Sequence, residues 1–126
     1  MKFIAPPLAL GVLFLVYFGA QNIFGSQWWF SVALHLTGGA VASWFIVSIW
    51  KKAVPKSYQE TSWGLRVWHL TCGALALGFF WELAEYVFIN ETVMVLMGPL
   101  FYQDTMMDLF LDGMGGAIAS LFLSGH

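Results

Sequence analysis

The chain has 126 residues, a formal net charge of −2, 60% apolar side chains and only 10% charged ones. An ordinary soluble domain carries about a quarter charged residues, so water is a poor solvent for this surface and lipid the expected one. Five basic residues without aromatic interleaving exclude a nucleic-acid footprint, and the single Cys72 excludes an internal disulfide and reads as a small buried hydrophobe.

The composition therefore specifies an all-α polytopic membrane protein, one helical domain over 1–126. Its pattern gives four transmembrane helices plus a short interfacial or re-entrant segment before the last. The first span is 6–24, where Pro6 and Pro7 fit a first helical turn because their missing N–H groups would be unpaired there anyway. A turn at Gly25, Ser26 and Gln27 leads to Trp28 and Trp29, an interfacial aromatic pair. From there the second span runs to about Trp50 and carries His35, followed by Thr37-Gly38-Gly39-Ala40, small residues that let a neighbouring helix approach.

Residues 51–63 form the hydrophilic loop, with Lys51, Lys52 and Lys56 in it and Arg66 just beyond. Positive charge flanking spans marks the cytoplasmic side. Alternating spans place Lys2 there as well, which puts both termini in the cytoplasm. The third span, 65–89, carries His69, Cys72, Glu82 and Glu85 and is closed by Asn90 and Glu91. Residues 92–103 are apolar but too short to cross, since about 20 residues are needed; they form the interfacial segment, broken at Gly98-Pro99. The last span is 104–123, capped by Asp104 and Thr105.

Depth can be counted at 1.5 Å of rise per residue. Counting inward from the outer ends of the spans, His35 lies roughly 10 Å deep, Glu85 roughly 7 Å, Glu82 roughly 12 Å, Asp108 roughly 6 Å and Asp112 roughly 12 Å. Three helices thus bring ionisable groups to one level in the outer half of the bilayer. Asp104, Asp108 and Asp112 share a stripe at i, i+4, i+8, and Glu82 and Glu85 share a face at i, i+3. Four neighbouring carboxylates cannot all be ionised without a cation, and no Lys or Arg lies at that depth, so protons, His35 or a metal must neutralise them.

Carboxylates with one imidazole suit a divalent ion, Mn, Fe, Zn or Mg, held by His35, Glu82, Asp108 and Asp112. Glu85 is then the candidate general base or outer-shell group of a metal-dependent enzyme acting on a lipid-like substrate. Two other readings stand beside it. One is a proton or cation conduit. The other is a small accessory subunit of a larger membrane complex, with His35 or His69 ligating a pigment or haem. The lipid bilayer is the expected partner, and the Gly-rich faces suit a homo-oligomer. His69 reads as an interfacial histidine, His126 as simply terminal.

Trp81-Glu82-x-x-Glu85, then Asp104-Thr105-x-x-Asp108 and the Gly/Ala-rich run from Gly113 to Ala119, together with His35 ahead of Gly38-Gly39, resemble the YjdF-like bacterial inner-membrane proteins and, more distantly, VanZ-like ones. The resemblance covers roughly 30–120. It implies a shortened form of a longer family pattern with additional spans, supports the helical fold and the polar site, and names no reaction.

Overall fold

Two prolines set the helix starts on which the rest of the chain depends. Pro55 cannot continue α2 (Trp28–Ala53), and with Val54 as N-cap it opens α3 (Pro55–Glu60). Pro99 opens α5 (Pro99–Leu123) in the same way, at a position where its missing N–H costs no hydrogen bond. Between them runs α4 (Trp63–Phe88), and α1 (Ala5–Phe24) precedes the set. The structure is a computed structural model that describes residues 4–24, 28–88 and 99–125, and no strand occurs among them.

Among the described residues, three helices are long and apolar enough to cross a membrane: Trp28–Ala53, Trp63–Val87 and Tyr102–Leu123. Several boundaries differ from those read in the sequence. The loop at 51–63 contains α3, and α2 runs past Trp50 so that Lys51 and Lys52 occupy its last turn, where they complement the helix dipole. The last helix starts at Pro99, so Asp104 and Thr105 lie within it and do not cap it. Of the expected interfacial segment, 92–98 lies outside the described residues, as do Lys2, the turn at 25–27, Asn90, Glu91 and His126. Cys72 is exposed on the outer face of α4, not buried.

Side-chain contacts fix the helix directions. Ser31 on α2 meets Asp108 on α5, and further along Ser43 meets Gly116 and Ser120. The helices α2 and α5 are therefore parallel. Near the start of α4, Leu70 accepts from Ser43, while Glu82 at its far end lies beside Asp108, so α4 runs antiparallel to both. These three helices form the bundle, and α1 packs against α2 at its side.

The seam between α2 and α5 repeats every four residues: Ser31, His35, Gly39 and Ser43 face Asp108, Asp112, Gly116 and Ser120. Its middle is backbone against backbone. A Cβ at Gly39 would stand 2.8 Å from the carbonyl carbon of Asp112, and one at Gly115 would stand 2.8 Å from that of Leu36. Ser43, fully buried, donates to Leu70 O and Gly116 O, tying all three helices together. The α2–α5 seam is thus polar and small-sided, while Val47, Tyr58 and Leu70 form an apolar cluster at its far end. The exposed surface instead carries large apolar side chains such as Trp68, Phe80, Phe110 and Phe122, the inverse of a water-soluble core and the arrangement lipid favours.

At the opposite end α3 closes the bundle. Tyr58 is buried, its hydroxyl donates to Leu123 O at 3.2 Å, and Trp50 packs edge-on at 5.4 Å. Lys51 Nζ and the Arg66 guanidinium each lie 4.8 Å from the Tyr58 ring centroid. Replacing Tyr58 by Phe should lower the unfolding free energy in mixed micelles by about 1 kcal/mol, the net worth of one hydrogen bond. Tyr58→Ala should cost about 3–5 kcal/mol, because it also removes the packed ring. Equal stability of both variants and the parent would show that α3 does not hold this end.

Candidate functional site

The N-terminal end of the α2–α5 seam is where the polar side chains gather. His35 is 8% exposed, Glu82 9%, Asp108 7% and Asp112 5%. Each is placed by helical periodicity: Ser31 and His35 are i, i+4 on α2, Asp108 and Asp112 are i, i+4 on α5, and Gly78 and Glu82 are i, i+4 on α4. Because α2 and α5 run parallel with the same spacing, the imidazole of His35 falls between the two aspartates.

His35 Nε2 lies 3.4 Å from Asp108 Oδ2, and Nδ1 lies 3.4 Å from Asp112 Oδ1. This geometry has a chemical consequence. A neutral imidazole has one N–H and one bare nitrogen, so it can satisfy one carboxylate while pointing a lone pair at the other. Compatibility with both requires a second positive element: a proton on the ring, a proton on a carboxyl, or a metal ion at the bare nitrogen.

One ligand atom each from His35, Glu82 and Asp108 lies within 4.8 Å of the others. Ligands on a common first-row ion stand at most about 4.4 Å apart, twice a 2.2 Å bond, so small side-chain rotations would close the set onto an ion. Glu82 Oε1 is buried and has no hydrogen-bond partner among the described residues. A bare buried carboxylate oxygen costs at least a few kcal/mol unless a proton or cation meets it.

Around this group stand Ser31 and Gly78, which the sequence did not single out, and Thr105, which it read as a helix cap. Ser31 Oγ donates to Asp108 Oδ1 at 3.1 Å, and Thr105 is a polar neighbour of Glu82. Both lie about one turn from an ionisable residue on their own helix, Ser31 four positions before His35 and Thr105 three before Asp108. That spacing was the available signal. Gly78 makes room for Asp112: a Cβ there would stand 2.9 Å from Asp112 Cγ and overlap Oδ2.

Of the residues expected at a metal, the structure brings His35, Glu82 and Asp108 into one group. It places Asp112 against the far nitrogen of the same ring. Glu85 is half-buried one turn along α4 and is an electrostatic neighbour of Glu82. Asp104 is exposed above Asp108. His69 sits at the other end of the bundle, exposed, with Nδ1 2.6 Å from Leu65 O and its ring against Trp50.

Beside the cluster lies a cavity of about 390 Å³ between α1, α2 and α4, which His35 and Asp112 also line. Comparison with curated proteins and with solved structures returned no match. One family model, described as a predicted membrane protein, matches residues 4–126 and so takes in every helix and the whole polar cluster; the chain belongs to that family, DUF2238.

Proposed function

We propose that His35, Glu82 and Asp108 bind one divalent metal ion inside the membrane, with His35 Nε2 as the nitrogen ligand. Asp112, expected from sequence as a fourth ligand, accepts a hydrogen bond from Nδ1–H in this proposal and so fixes the tautomer and the ring plane, the usual role of a carboxylate behind a metal-bound histidine. Ser31 and Thr105 orient the carboxylates from behind. The observation that carries the reading is the imidazole held between two buried carboxylates, with the bare Glu82 oxygen beside it. The N/O ligand set suits Mn, Fe, Zn or Mg.

An ion with an open position can activate water or polarise a substrate oxygen, and Glu85 is the residue we assign as general base. The activity we infer is a metal-dependent reaction on a lipid-like substrate. In this account α1, which has 20 residues and no charge, is the fourth span. Lys2, Lys51, Lys52, Lys56 and Arg66 mark the cytoplasmic side of a bacterial inner membrane, the setting the YjdF-like resemblance suggests, and put the site in the outer half.

Elemental analysis of protein purified in nanodiscs tests the metal reading. About one divalent ion per chain is expected, falling about tenfold or more in the near-isosteric Glu82→Gln and Asp108→Asn variants. Metal at background level in the parent, or undiminished in both variants, contradicts it.

The hydroxyls of Ser43 and Ser120, which continue the seam below Asp112, favour a proton conduit as the second reading. Proton flux in proteoliposomes that Asp108→Asn abolishes, in protein free of metal, would support that reading over the first.

A further inference from the structure

The cavity beside the cluster has one polar corner and otherwise apolar walls. Leu10 and Leu13 of α1, Leu34 of α2, and Leu77 and Phe80 of α4 line it, and its volume of about 390 Å³ falls in the range of small-molecule sites. Phe80 is also exposed on the outer surface of α4, so the slot between α1 and α4 opens toward lipid, and a chain can slide in from the bilayer without crossing water.

At the polar corner stand His35 and Asp112. Asp112 is only 5% exposed, its Oδ1 faces His35, and its Oδ2 is buried against Gly78 with no hydrogen-bond partner among the described residues. A buried acceptor of this kind is completed only by a donor. Glu82 and Asp108 lie close by, so a further negative charge would be repelled and left unpaired.

We propose that this cavity binds a single-chain amphiphile, its apolar tail among the leucines and its head an uncharged or cationic hydrogen-bond donor on Asp112 Oδ2. Long-chain alcohols and amines belong to this class, and in the metal-free protein long-chain carboxylates and phosphates are excluded from it. The inference rests on the proposed site, because it supplies the substrate whose head would reach the ion beside His35. The tail would be held by walls that do not ligate the metal.

The test uses dodecanol carrying a photoreactive diazirine, with the matching dodecanoate as control, added to the full chain in nanodiscs. Labelling is read by mass spectrometry in metal-stripped protein and again with Mn²⁺. The alcohol should label α2 and α4 near Leu34 and Leu77 about tenfold more than the carboxylate, and plain dodecanol should compete. Ala84→Phe, at a lining position on α4, and Leu13→Trp, which fills the cavity from α1, should each abolish labelling while Mn²⁺ binding is kept. Asp112→Asn should let the carboxylate label as well as the alcohol.

Equal labelling by both probes in the parent, or labelling indifferent to both filling variants, overturns the proposal. Selective labelling in a protein that binds no Mn²⁺ supports the cavity and removes the metal reading. Mn²⁺ binding without selective labelling does the reverse.

Discussion

A Gly39→Leu chain is expected to lose the folded bundle. The α2–α5 crossing is backbone on backbone, with the Cβ position of Gly39 2.8 Å from the carbonyl carbon of Asp112. No rotamer can relieve that overlap, because the obstacle is main chain. The helices must separate, which breaks the Ser43 bonds to Leu70 and Gly116 and pulls His35 away from Asp112. Overpacking inside a close-packed interface costs about 1–3 kcal/mol, and more where the neighbour cannot yield. We expect about 3 kcal/mol or more here, and the same for Gly115→Leu at Leu36. Gly64 has nothing within 4 Å of its Cβ position, so Gly64→Ala should be neutral or stabilise by up to about 1 kcal/mol through helix propensity. The seven tryptophans give a fluorescence signal for denaturant titrations in bicelles. Near-parental midpoints for Gly39→Leu and Gly115→Leu would mean that α2 and α5 do not touch along this seam.

The second large effect is expected at His35. Removing the imidazole leaves Asp108 Oδ2 and Asp112 Oδ1 facing an apolar gap, and breaking a buried pair from one side costs about 3–5 kcal/mol. His35→Leu should therefore destabilise by that amount, and the damage should have a specific cure. Adding Asp112→Asn removes one stranded charge, so the double variant should be more stable than the sum of the single changes by about 1–3 kcal/mol. Strictly additive single changes would show that charge around the ring is not what His35 balances.

How much of this was legible in the sequence follows from what each feature depends on. Counting rise per residue from the span ends placed His35, Glu82, Asp108 and Asp112 at one level, because depth along a straight helix is a local property. The i, i+4 pair on α5 gave the facing for the same reason. The place of Asp112 on the far nitrogen of His35 was not readable. It depends on α2 and α5 running parallel in a register set by Gly39 and Gly115, which is a property of the packed bundle. Gly78 carried no signal of its own until its neighbour was known to be a carboxylate. The helix start at Pro99 and the short α3 were hidden differently: both begin at a proline within a stretch whose composition alone reads as loop or interfacial segment. Tyr58 was passed over because a tyrosine in a hydrophilic loop gives no hint that it will turn under the bundle to Leu123.

The most direct test of the proposed metal site asks which nitrogen the ion touches. Mn²⁺ bound to the stripped protein in nanodiscs can be examined by pulsed electron paramagnetic resonance, which detects nitrogen bonded to the ion. The account predicts one saturable ion per chain with coupling from a single imidazole, lost in His35→Gln. In Asp112→Asn that coupling should survive, with affinity reduced about 10–100-fold, the usual cost of losing a histidine's carboxylate partner. A bound ion with no nitrogen coupling, or coupling that persists without His35, would contradict it.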